Sequence, residues 1–112
     1  MKKIEAYIQP FMLGKIEAAL RADHLHGMTV LEARGFGKEK DESYAHHETD
    51  FLTVFTPKVK IEIYCDDDEA DKISGIIRTN AFTGRRGDGK IFISTVEHAI
   101  SIRTGENDNN VV

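Results

Sequence analysis

The run Lys58-Val59-Lys60-Ile61-Glu62-Ile63-Tyr64 alternates without a fault between polar and apolar side chains. Successive side chains leave a strand on opposite sides, so period two means a β-strand with one covered face. Val59, Ile61 and Ile63 must therefore be packed against something. Lys2 to Gln9 repeats the pattern, with Ile4, Ala6 and Ile8 facing one way and Lys3, Glu5 and Tyr7 the other. Each of these strands is followed by a helical pattern able to supply the cover. Pro10 ends the first strand and suits the first position of a helix. Leu13, Ile16 and Leu20 then recur at spacings of three and four, a single buried stripe that runs out near His24. After the second strand, Asp66 and Glu69 have the spacing of a capping box. Asp66, Asp67 and Asp68 also put negative charge at the positive end of a helix dipole. Ala70, Ile73 and Ile77, with Ile76 beside them, form the stripe of that helix.

Met28 to Phe36 and Lys90 to Val96 read as the remaining strands, with Ile100 and Ile102 continuing in extended form to Arg103. The order is β-α-β, a long loop, then β-α-β. It predicts an α+β fold, a ferredoxin-like βαββαβ sandwich with four antiparallel strands, both helices on one face and a short C-terminal extended segment. At 112 residues the chain reads as one domain. Its net charge of −4 argues against nonspecific nucleic-acid binding. An RNA-binding module on this fold class needs stacked aromatics and a basic sheet; the chain has no Trp. A single cysteine, Cys65, excludes an internal disulfide, fits a reducing compartment and is expected to be buried. The aromatic residues are expected mostly in the core. No apolar run approaches the ~20 residues of a membrane span, and the charged start, Met1 to Glu5, has no signal-peptide core. A cytoplasmic domain is expected, with a polar, mobile tail from Gly105 to Asn110.

Between the second helix and the last strand lies Thr83-Gly84-Arg85-Arg86-Gly87-Asp88-Gly89-Lys90. Three glycines in six residues leave amides unshielded and admit positive φ. Amides aimed the same way form an anion-binding nest, and Arg85, Arg86 and Lys90 add cations. The stretch reads as a phosphate grip; the plain alternative is a tight turn with solvated arginines. It also matches the spacing G-x-x-x-x-G-K of nucleoside triphosphatase loops. Ile91 stands where a magnesium-binding Ser or Thr belongs, and the loop follows a helix and opens a strand, the reverse of the required order. Phosphate binding is expected, hydrolase chemistry is not.

The polar connection from Gly37 to Pro57 is about twice an ordinary loop, a length that usually has a use. At its middle, His46, His47 and Glu48 offer metal-ligand chemistry, but adjacent side chains rarely converge. Loop residues that touch a partner are the favoured reading, and a metal-responsive trimeric binder using His46 and His47 is the alternative. His24, His26 and His98 read as surface residues. No Ser-His-Asp or Cys-His arrangement has a defensible role, so the chain is not expected to be an enzyme.

Taken end to end, the chain resembles the PII signal-transduction family, the nitrogen regulatory P-II proteins. The resemblance is carried by Met1-Lys2-Lys3-Ile4, Pro10-Phe11, Gly27-Met28-Thr29-Val30, Gly35-Phe36-Gly37, Pro57 to Ile63, Ile77-Arg78-Thr79, Thr83-Gly84, Gly87 to Phe92, and Ile102-Arg103-Thr104-Gly105-Glu106. It implies a single domain over 1–112, with a partner-docking T-loop at 37–56, a phosphate-binding loop at 82–90 and a C-terminal loop at 103–112. It implies a homotrimer with a nucleotide cleft at each subunit interface. ATP and ADP, and by extension AMP, would compete there, and 2-oxoglutarate would bind beside Mg-ATP. By position, Gly87, Asp88, Gly89 and Lys90 would hold phosphates, with Arg103 reaching in from a neighbour. Gly35, Phe36, Gly37 and Lys38 would flank the site. Gly27, Met28 and Thr29 would line the adenine side, with Glu62, Ile63 and Tyr64 near the base.

Glu39, Lys40 and Lys58 would face the effector, and Tyr44, His46, His47 and Phe51 a protein partner. The departures from the family pattern carry expectations of their own. The uridylylated tyrosine falls at Phe51, so that modification has no acceptor oxygen there; a phosphoserine position holds Thr49. Glu39 replaces a magnesium-binding glutamine, Asp41 a glycine, Gln9 a basic residue, and Ser101 a phosphate-binding arginine that Arg85 and Arg86 would partly replace. Weak or absent 2-oxoglutarate binding follows, and a reduced preference for ATP over ADP or AMP. The regulated target would be an ammonium channel, a metabolic enzyme, or a bicarbonate or metal transporter.

Overall fold

A computed structural model describes residues 1–37, 55–108 and 111–112. Lys38, Glu39, Lys40, Asp41, Tyr44, His46, His47, Thr49 and Phe51 lie outside the described residues. The elements are β1 (Lys2–Ile8), α1 (Leu13–Ala22), β2 (Thr29–Gly35), β3 (Thr56–Cys65), α2 (Ala70–Ala81) and β4 (Gly89–Thr95). The four strands form one sheet in the order β2-β3-β1-β4, antiparallel throughout. This is the ferredoxin-like arrangement expected from the βαβ halves, each helix carrying the chain back across one face.

Register explains why the alternating runs work. Ile4 lies beside Ile63 and Ile93, Ala6 beside Ile61 and Ile91, and Ile8 beside Val59. These side chains share one face, and all but Ile93, which stays half exposed, meet Ile16 and Leu20 of α1 and Ile73 and Ile77 of α2 in a single core. Burying each such aliphatic side chain contributes roughly 1.5–3 kcal/mol. The opposite face carries Lys3, Glu5, Tyr7, Lys60, Glu62 and Tyr64. Pro10 opens a 3₁₀ turn, Pro10–Met12, that leads into α1.

Three expectations need correction. The capping box is not made: neither Asp66 nor Glu69 gives a side-chain cap. A 3₁₀ turn over Asp67–Glu69 starts α2 instead, and Asp67 binds the Met1 amino group at 2.8 Å. That ion pair holds the Asp67 carboxyl below the usual range. The chain after β4 is not extended to Arg103 but turns back on itself as far as Asp108. Ile100 pairs with Asn107, Ser101 N donates to the Glu106 carbonyl at 2.9 Å, and Asp108 N donates to that of Ala99 at 2.8 Å. Gly105, with φ of 73°, turns this hook. Lastly, among the described residues the aromatics are not the core. Phe11, Phe36, Phe55, Phe82 and Phe92 are all exposed, and the core is aliphatic. Cys65 is buried as expected; burial pushes its thiol up, with Glu69 and Asp66 adding to the effect.

Candidate functional site

The glycine loop joins the end of α2 to β4 and is held from two sides. Asp88 closes it from within. Thr83 N donates to the Asp88 carboxylate at 2.7 Å, Gly84 N at 3.0 Å, and the Thr83 hydroxyl donates to the other carboxylate oxygen. Arg85 N donates in turn to Thr83 Oγ1 at 3.2 Å. Partial burial pushes the Asp88 carboxyl up, but the Thr83 and Gly84 hydrogen bonds, with Arg85 nearby, outweigh it and leave it below the usual range. The clamp is therefore complete at neutral pH. Its contribution exists above the ordinary carboxylate pKa and is lost only as pH falls through the lowered value. From the sheet side, Gln9 Nε2 and Lys58 Nζ both donate to the Gly87 carbonyl, at 2.7 and 2.8 Å.

Gly84, Gly87 and Gly89 all have positive φ, at 86°, 94° and 114°. Gly89 is also sterically obligatory, since a Cβ there would lie 1.7 Å from the Tyr7 carbonyl oxygen. Beside the loop, a cleft of about 280 Å³ opens between α2 and the β1–β4 pair, lined by Ile8, Ile77, Ala81, Phe82, Lys90 and Ile91 among others. Arg85, Arg86 and Lys90 are exposed. The arrangement supplies amide dipoles, cations and an adjoining apolar wall, the makings of an anion site.

The other residues singled out from sequence divide into separate places. Gly35 pairs with Thr56 at the loop end of the sheet, and beyond it the Phe36 and Phe55 rings meet edge to face at 5.4 Å. Gly35, Phe36, Gly37 and Lys58 thus lie at the same end of the sheet as Gly87. Thr29 pairs with Glu62, which lies beside Glu5. That row is three residues from the Ile8–Gly89 row, roughly 10 Å. Gly27 is exposed and Met28 packs at the edge of the core. Glu62 belongs to a charge row on the open face, where Lys60 Nζ sits 2.9 Å from both Glu62 and Glu5. Those contacts raise the Lys60 ammonium and lower the Glu5 carboxyl. Ile63 has its side chain in the core, so only its backbone can meet a ligand. Tyr64 is half exposed, with Lys3 Nζ 5.9 Å from its ring centre.

Arg103 sits in the hook, which leaves the sheet where Thr95 pairs with Lys2, six residues or roughly 20 Å from Gly89. Thr29, on the opposite edge strand of the sheet from Gly89, is therefore not brought to the glycine loop of its own chain. Gln9, read from sequence only as standing in for a basic residue, is buried and braces the loop. Alternation puts position 9 with Lys3, Glu5 and Tyr7 on the polar side, so nothing in the pattern signals its burial. Among the described residues no group of three His, Cys, Asp or Glu side chains is placed to hold a metal. His24, His26 and His98 are exposed, and His98 Nδ1 lies 3.6 Å from Asp108. No helix among the described residues is long and apolar enough to cross a membrane.

The fold is thus a ferredoxin-like sandwich, and the candidate site is a braced, glycine-rich loop at one end of its sheet. Residues 1–106 match the family model of the nitrogen regulatory protein P-II. The chain is similar to nitrogen regulatory protein P-II of Bradyrhizobium diazoefficiens, 50% identical over 106 residues and 95% of each chain. It is likewise similar to those of Mesorhizobium japonicum and Nostoc punctiforme, 46% and 45% identical over the full length of both chains. The chain belongs to the P-II family, whose members are regulatory signal-transduction proteins of nitrogen control.

Proposed function

We propose that this chain senses adenine nucleotides and reports them to a partner protein through the connection between β2 and β3. The carrying observation is the glycine loop: three positive-φ glycines closed by Asp88, with Lys90, Arg85 and Arg86 at hand. ATP, ADP and AMP are the ligands, with magnesium accompanying ATP. The nucleotide joins the loop, the Gly35–Phe36–Gly37 strand end and a neighbouring subunit. Two observations support the neighbour. Thr29, on β2, lies at the opposite edge of the sheet from Gly89 on β4. Apolar side chains also stand exposed on β4 and the hook, Phe92 at 52%, Ile93 at 46% and Ile100 at 67%. Such exposed apolar surface marks association, and a homotrimer is the assembly proposed. The partner is a transporter or metabolic enzyme, and the role is regulatory, without catalysis, in the cytoplasm.

Calorimetry of nucleotide-stripped protein with adenosine, AMP, ADP and ATP tests the reading. Each nucleotide should release heat, with affinity rising along the phosphate series. Because Ser101 offers no cation, the step from ADP to ATP should fall short of the roughly hundredfold that one full charge-assisted contact can supply. Adding 2-oxoglutarate to the Mg-ATP complex should give little further heat, because Glu39 and Asp41 add negative charge where a dianion would sit. Absence of heat with every adenylate would sink the proposal.

A further inference from the structure

Gln9 and Thr56 are the polar residues buried among those described, and Gln9 keeps only 2% of its surface exposed. Burying an amide is unfavourable unless its polar atoms are bonded. Here the Gln9 Nε2 atom donates at 2.7 Å to the Gly87 carbonyl, the atom that also accepts from Lys58 Nζ at 2.8 Å. A carbonyl oxygen has two lone pairs, so it can accept from both donors at once. The Gly87–Asp88 peptide is planar and trans. Its carbonyl and the following N–H therefore point oppositely. With the carbonyl turned toward the ends of β1 and β3, the Asp88 N–H is turned away from them. Gly87, at φ of 94°, offers no Cβ to oppose a flip of this peptide. The two donors select its orientation.

The geometry points to Gln9 as a positioning residue for the anion loop: together with Lys58 it orients the Gly87–Asp88 peptide, so that the Asp88 N–H faces an incoming phosphate. Asp88 shapes the first limb of the loop through Thr83 and Gly84, while Gln9 and Lys58 anchor the second to the sheet. The inference rests on the adenylate reading for its ligand, but its account of loop geometry is independent of that ligand.

The test compares the full-length protein with Gln9→Met, which keeps the bulk and removes the donor, and with Gln9→Lys, which restores a donor. Affinities for ATP and for adenosine are measured by calorimetry, the Asp88 amide is followed by NMR, and melting temperatures are recorded. For Gln9→Met, ATP affinity should fall roughly three- to tenfold, the worth of one hydrogen bond. Adenosine affinity and melting temperature should hold, and the Asp88 amide resonance should move. Gln9→Lys should recover ATP affinity. Unchanged ATP affinity with an unmoved Asp88 resonance would overturn the inference. So would equal losses for ATP and adenosine accompanied by a lowered melting temperature, which mark a general packing role. If the parent protein binds no adenylate, the proposed function falls, and the Asp88 resonance alone decides: movement supports the inference and none overturns it.

Discussion

Gly89 concentrates two constraints in one residue. Its φ of 114° disfavours any side chain, and the Tyr7 carbonyl occupies the space a Cβ needs. Gly89→Ala should therefore cost roughly 3 kcal/mol or more, backbone strain adding to overpacking. Gly75, on the exposed side of α2, meets nothing within 4 Å. Gly75→Ala should stabilise the chain by up to ~1 kcal/mol through helix propensity. Chemical denaturation of both variants checks the pair; similar effects would remove the close-approach argument. At this scale the glycines and cations of the loop were legible from residue type alone. The task of Asp88 was not, because a carboxylate that closes a loop and one that contacts a ligand look alike in sequence. Nor was that of Gln9, whose acceptor lies 78 positions away.

Among the elements, strands and helices were read from periodicity because each buries one face. α2 shows this: Ile73 and Ile77 are 3% and 0% exposed, on the stripe that spacing predicts. Ile77→Ala should lose about 2–5 kcal/mol, the cost of a core cavity, whereas Ile93→Ala on the outer part of β4 should cost far less in the isolated subunit. Thermal or urea unfolding separates the two, and equal losses would contradict the placement of the core. The beginning of α2 and the hook escaped because neither is periodic. The Asp66–Glu69 spacing is that of a capping box, but the Met1 amino group draws Asp67 into an ion pair from across the chain. The turn at Gly105 becomes visible only through the bonds between residues 99–101 and 106–108.

For the whole molecule, Phe92, Ile93, Ile100 and Ile102 are exposed, and the proposed trimer would cover them. Sedimentation should show a species of three times the chain mass, and Ile102→Asp should shift it toward monomer and weaken nucleotide binding together. A monomeric parent protein that still binds ATP would refute the shared cleft. Composition and pattern had assigned the apolar faces of the strands and helices to one core correctly, because those faces must leave water. They had also assigned the aromatics to that core, wrongly. The aliphatic stripes fill the space beneath the helices, so the described phenylalanines are left exposed at the loop, the strand edge and the sheet's far side. What the chain's order of residues settled alone was local: strand and helix periods, a turn rich in glycine, a balance of charge. What tertiary structure decided was which distant groups meet, above all Gln9 and Lys58 at Gly87. Hydrogen bonds act over about 3 Å whatever their separation along the chain, and only the fold creates that proximity.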